Sequence, residues 1–150
     1  MAKEYPPLKS VPGFSWLGIN LGIKDETPDF GVIASDCNCS AAGVFTRNNI
    51  PGAPVIIGRE HIHDGQLQAI VVNSKIANVA TGQSGIEDAK NMCRWTASSL
   101  GISPEQVLPS STGVIGKRLP IEKIQTGCES IPRKLGSTTE HIENFARAIM

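Results

Sequence analysis

Ala69-Ile70-Val71-Val72 is an unbroken apolar run, closed by Gln68 on one side and Asn73 on the other. A run this short and continuous fits a β-strand covered on both faces, because neither set of alternating side chains then has to meet water. It puts this strand inside a sheet and obliges the rest of the chain to supply its neighbours and cover. Leu17 to Ile23, Phe30 to Ser35, Ala42 to Thr46 and Pro54 to Ile57 read as further strands, being short, apolar and bounded by Gly, Asp, Asn or Pro. Short strands separated by tight turns predict a largely antiparallel or mixed sheet.

After Asn73 the apolar period lengthens. Ser84 and Glu87 stand where a capping box would start a helix, and Ile86, Ala89, Cys93, Ala97 and Leu100 follow at spacings of three and four before Gly101 closes it. Ser103-Pro104 opens a short turn that leads into a strand from Gln106 to Leu108. Pro120 starts a helix carrying Ile121, Ile124, Cys128 and Ile131, which Pro132 is expected to interrupt. Ser137 and Glu140 form another box ahead of Ile142, Phe145 and Ile149. This last helix reaches Met150 with no Gly, Pro or polar tail to stop it, so the sequence reads as a segment of a longer polypeptide. No internal repeat or linker divides residues 1–150, and the expected architecture is one α/β unit, a mixed sheet with helices packed on it.

Composition narrows the function classes. Fourteen basic and fourteen acidic residues give no formal net charge, and no like charges run together, which speaks against nucleic acid and anionic membrane as partners. The apolar runs fall far short of the ~20 residues that a membrane-spanning helix needs. Met1 to Pro7 show neither the apolar stretch nor the cleavage site of a secretory signal, which makes the cytoplasm the expected compartment. Cys37 and Cys39 are too close for the usual zinc spacing, and His61 and His63 lie on a separate segment, so no metal site is expected. Cys93 and Cys128 fall on the apolar faces of helices and read as reduced core residues. His61, His63 and His141 read as surface residues, and no Ser-His-Asp constellation gains support from the sequence.

Chemistry concentrates in three segments. The first is Leu108-Pro109-Ser110-Ser111-Thr112-Gly113-Val114-Ile115-Gly116, at a strand-to-helix junction. Its hydroxyls and backbone amides could stabilise an oxyanion or a phosphate, and the same residues also make ordinary turns. Gly116-Lys117 ends like a phosphate-binding loop. However, Ser111 replaces a required Gly, and Arg118 stands where a Ser or Thr must hold magnesium. The second segment is Asn73 to Gly82, whose Asn73 and Asn78 could hold a polar ligand or pin the loop itself, and whose Lys75 reads as solvated. The third, Ser40 to Asn49, has small residues at 41–43, a Phe45 expected in the core, and an Arg47 able to pair with a carboxylate.

In this order the segments resemble the bifunctional glutamate N-acetyltransferase / ornithine acetyltransferase family of arginine biosynthesis. The similarity is carried by Ala41-Ala42-Gly43-Val44-Phe45-Thr46-Arg47-Asn48, Val71-Val72-Asn73-Ser74, Ala77-Asn78, Thr81-Gly82, Ser111-Thr112-Gly113-Val114-Ile115-Gly116, Leu119-Pro120 and Ala146-Arg147-Ala148-Ile149-Met150. It covers nearly the whole chain from Gly13. Lys75-Ile76 replaces the Gly-Asn pair common in the family. The resemblance implies the self-cleaving ornithine acetyltransferase / aminopeptidase-like fold and a precursor cut into α and β chains, assembled as α2β2. This chain would be the N-terminal part of α.

A Thr at the start of β, outside this sequence, would be the nucleophile. It would take the acetyl group from N-acetylornithine and pass it to glutamate, with acetyl-CoA as a donor in some members and no metal or organic cofactor. Thr112 and Gly113 match the family's oxyanion-hole pair. Two rivals remain at this point: a non-catalytic domain that holds an anion or an acyl-amino acid on the amides of Ser110 to Gly113, and an amidase or aminopeptidase of the related self-cleaving fold.

Overall fold

A computed structural model describes residues 8–150; Met1 to Pro7, on which the reading of the leader rests, lie outside them. Four strands form one mixed sheet in the order β1 (Phe14–Ile19), β2 (Phe30–Ser40), β3 (Gln66–Asn73) and β4 (Val107–Ser111). β1 pairs β2 and β2 pairs β3 antiparallel, while β4 joins β3 parallel, with Asn73 opposite Ser111 at the end of the ladder. A parallel neighbour needs a crossover, and α2 (Gly82–Leu100) makes it. α1 (Ala53–His61), α3 (Ile121–Lys134) and α4 (Thr139–Ala148) complete the fold.

The main core lies on one face of the sheet. Leu17, Phe30, Val32, Val71 and Val107 point there, against Ile57 of α1, Met92 and Cys93 of α2, and Ile124, Cys128 and Ile131 of α3. Cys93 and Cys128 are free thiols, and burial raises their pKa to about 12 and about 11. The opposite face is covered at one end only. There α4 crosses so closely that a Cβ on Gly18 would land on the Asn144 backbone, and one on Gly31 would meet the Phe145 ring. Val72 is buried, but Ile70, two residues back on the same face, is only half-buried, so the expected double cover of β3 is partial. A continuous apolar run fixes a buried strand but does not fix how far its second face is covered.

Other expectations shift. Pro54 to Ile57 is not a strand but the start of α1, with Pro in the first turn and Ala53, Pro54, Ile57 and Gly58 buried at helical spacing; packing overrides the β-branched preference. Ala42 to Thr46 has no regular structure. β1 ends at Ile19, because the buried Asp29 carboxylate takes the N–H groups of Leu21, Ile23 and Lys24 at 2.7–2.8 Å and folds that stretch into a turn.

α2 starts at Gly82, ahead of the expected box. Its side-chain anchor is Asn78, which donates to the Gly85 carbonyl at 2.8 Å and accepts from Thr81 at 2.7 Å. Gly101 does close α2 in the left-handed conformation. At α4 the capping position is Thr138, one residue past the expected Ser137, and its hydroxyl pairs with His141. Pro132 sits inside α3 without ending it; the helix runs to Lys134, and the Leu135 N–H still reaches Ile131.

Candidate active site

The site grows from Asn73, the last residue of β3, which is wholly buried. Its backbone carbonyl accepts the Thr112 N–H at 3.0 Å. Its side-chain oxygen accepts the Ser111 hydroxyl at 2.6 Å, and its side-chain NH2 donates to the Ile76 carbonyl at 2.8 Å. One amide side chain therefore ties the end of β4 to the loop that leaves β3. Asn78, also wholly buried, ties that loop to the start of α2, and its carbonyl takes the Ala53 N–H of α1 at 3.0 Å. Both asparagines pin the loop. Ser74 completes the anchorage, its hydroxyl reaching the Ala148 carbonyl of α4 at 2.6 Å.

Beyond Ser111 the chain still runs alongside the 73–79 loop. The amides of Thr112, Val114 and Gly116 donate to Asn73, Lys75 and Val79 at 2.9–3.0 Å. This alternation turns the intervening amides away from β3, at the edge of the sheet. Pro109 occupies one such position and has no N–H to leave unpaired. Gly113 occupies another. Its φ of 127° and its contact with Lys75, whose carbonyl carbon and oxygen a Cβ would strike, require Gly there. Among the described residues neither the Gly113 N–H nor the Thr112 hydroxyl has a hydrogen-bond partner. Both residues are exposed, so two adjacent donors face outward on a rigid backbone.

The loop is held from its far side as well. Arg118 makes two 3.1 Å bonds to the buried Asp88 carboxylate on α2. Nothing in the local sequence announces this pair, whose members stand thirty positions apart. A cleft of about 250 Å³ opens beside Ser110 and Ser111, walled by Phe45, Pro54, Val79 and Leu108. The third segment therefore meets the site only through Phe45, which is half-buried at this cleft under the Arg59 guanidinium and is not in the core. Arg47 is exposed and makes no ion pair among the described residues. His61 bonds the Val107 carbonyl at 2.7 Å, at the opposite end of β4 from Thr112. Among the described residues no three His, Cys, Asp or Glu side chains gather into a metal-ligating set, and no helix is long and apolar enough to cross a membrane.

A mixed sheet with helices on its main face and a pair of free donors beyond its one parallel strand defines the structural class. Solved structures share the fold. The arginine biosynthesis bifunctional protein ArgJ of Bacillus halodurans superposes with a TM-score of 0.88 at 39% identity, over 92% of this chain and 72% of that one. Ornithine acetyltransferase of Mycobacterium tuberculosis, solved in complex with ornithine, superposes with a TM-score of 0.89 at 32% identity, over 93% of this chain and 76% of that one. The ArgJ family model matches residues 15–150, and the chain belongs to the ArgJ family. Among curated relatives, bifunctional ArgJ 2 of Clostridium acetobutylicum is 46% identical over 138 residues, and the mitochondrial bifunctional ArgJ of Neurospora crassa is 42% identical over 155. The match takes in 92% and 98% of this chain but only 35% and 33% of theirs.

Proposed function

We propose that this chain is the N-terminal segment of a self-cleaving acetyltransferase that moves the acetyl group of N-acetylornithine to glutamate, and that Thr112 and Gly113 form its oxyanion hole. The observation that carries the reading is the pair of unspent donors, the Thr112 hydroxyl and the Gly113 N–H, on a backbone fixed from both sides. In this reaction the hydroxyl of an N-terminal Thr on a second polypeptide attacks the acetyl carbonyl carbon, and its own α-amino group takes the proton. The carbonyl oxygen becomes an oxyanion between the two donors, which are already oriented and so lower the barrier. Collapse expels ornithine as the free amine and leaves an acetyl ester on the Thr. The glutamate amine then attacks that ester through the same oxyanion, regenerating the hydroxyl.

Length supports the second polypeptide. Nearly the same stretch of this chain fills 72% of the solved Bacillus chain but 35% of the curated Clostridium sequence, so the solved chain is about half as long, as a precursor cut in two would leave it. We extend the reading to an α2β2 assembly in the cytoplasm, with acetyl-CoA as a further donor. The anion-binding alternative is weakened, because the Thr112 amide it needs is already spent on Asn73.

Two measurements test this. Expression from the native locus, followed by intact mass and N-terminal sequencing, should find a co-purifying polypeptide that begins with Thr; a lone folded 16.0 kDa species would favour the binding domain. In the active preparation, Thr112→Ala should lower kcat by about 10²–10³, the usual effect of one lost oxyanion donor. An unchanged kcat would remove Thr112 from the mechanism.

A further inference from the structure

We infer that the cleft between α1 and β4 is an acyl-chain pocket, and that the site transfers straight-chain acyl groups longer than acetyl; this rests on the acyl-transfer reading above. α1 lies along the free edge of β4. His61, its last residue, bonds the Val107 carbonyl at 2.7 Å, and a Cβ on Gly58 would stand 3.1 Å from the Leu108 Cδ1. Pro54 and Val55, in its first turn, wall the cleft beside Ser110 and Ser111. That first turn therefore lies at the end of β4 from which Thr112 and Gly113 follow.

Both free donors open toward this gap. The Thr112 amide is turned to Asn73 of β3, so the Gly113 amide points the other way, to the side of β4 that carries the cleft. Side chains alternate as well, so the Thr112 hydroxyl shares a face with Leu108 and Ser110, both of which line the cleft.

Polarity selects the occupant. Phe45, Val55, Val79 and Leu108 are each half-buried and give the cleft apolar walls with surface to spare. Around the reacting carbon stand the oxygen between the donors, the Thr hydroxyl of the second polypeptide, the amine of an amino acid, and the alkyl group. Ornithine and glutamate both carry charges that apolar walls would strip of water, so the alkyl group is the one that suits the cleft. An acetyl methyl is about the size of a water, which needs about 10–15 Å³ of cavity. The cleft offers about 250 Å³, room for several further carbons. Val79 is a fixed wall: its carbonyl takes the Gly116 N–H at 2.9 Å, and a Cβ on Gly52 would strike its Cγ2 at 2.7 Å.

The chemistry is that of the acetyl reaction. With N-butyrylornithine the Thr hydroxyl oxygen bonds to the butyryl carbonyl carbon, the bond to the ornithine nitrogen breaks, and ornithine leaves as the amine, taking the hydroxyl proton. The glutamate amine then takes the butyryl group as N-butyrylglutamate and gives up a proton to the Thr oxygen.

The test compares N-acetylornithine with N-butyrylornithine in the active two-chain preparation. The wild type should transfer butyryl with a kcat/KM no lower than for acetyl and a KM about fourfold lower, half the full transfer value of two methylenes. Val79→Phe fills the cleft and should lower the butyryl-to-acetyl ratio of kcat/KM about tenfold or more. If Val79→Phe does not fold, Val55→Phe fills the cleft from α1 and should show the same fall. Ile50→Phe, in the exposed loop outside the cleft, should leave the ratio unchanged. A wild-type ratio below about one hundredth, or a ratio that neither filled variant moves, overturns the inference alone. A wild-type preparation that transfers no acetyl group overturns the acyl-transfer reading and this one with it.

Discussion

Two loops leave opposite ends of the same sheet, residues 41–52 after β2 and residues 74–81 after β3. Both are built from small and polar residues, yet they behave differently. In the first, Ala42 to Val44 and Thr46 to Ile50 are exposed, and the side-chain bonds of Thr46 and Asn48 are local ones to the amides of Asn48 and Ile50. In the second, Ser74, Ala77 and Asn78 are buried, and the loop bonds to the segment after β4, to α1, α2 and α4. A loop can be buried only if its backbone groups find partners, and here asparagine side chains supply the links that a ladder would otherwise give. Rigidity at the site is thus a property of Asn73 and Asn78 more than of the strands they follow.

The contrast can be broken first at Asn73. Asn73→Ala strands the Ser111 hydroxyl and the Ile76 carbonyl and leaves a gap; it should cost about 2–3 kcal/mol in urea unfolding, with a parallel fall in kcat as Ser111, the neighbour of Thr112, loses its side-chain anchor. Stability unchanged within error would mean that the loop is held by something other than this amide. Arg118→Ala comes next. It leaves the buried Asp88 carboxylate without its partner, but the Arg118 side chain is 56% exposed, so the loss should be about 1–2 kcal/mol, below that of a fully buried pair. Smallest is Val44→Ser in the exposed loop, expected to shift stability by less than about 0.5 kcal/mol. A larger loss there would show that this loop is packed against something in solution and would erase the contrast.

How much of this could be read in advance differs by residue. β3 was legible from Ala69 to Val72, and α2 from its apolar spacing and Gly101, because each is encoded within a few neighbouring positions. Pro54 to Ile57 misled, because β-branched residues mark a strand only when their surroundings are a sheet, and here Gly58 lets α1 approach Leu108 and Phe45 closely. The Asp29 turn, the Asn73–Ser111 bond and the Arg118–Asp88 pair were not legible. Each joins a polar side chain to a partner chosen by the fold, and no period or cap in the sequence records a bond across 38 positions.

Pro109 has a consequence beyond the site. β4 is an edge strand, and an edge normally offers a row of amides and carbonyls onto which a foreign strand can add, the first step of aggregation. A proline in the middle of that row removes one donor and places its ring in the path of the incoming backbone. The edge beside the free Thr112 and Gly113 donors is thereby closed to an added strand, and a residue three places before Thr112 and four before the Gly113 donor protects the chain from association with its own copies.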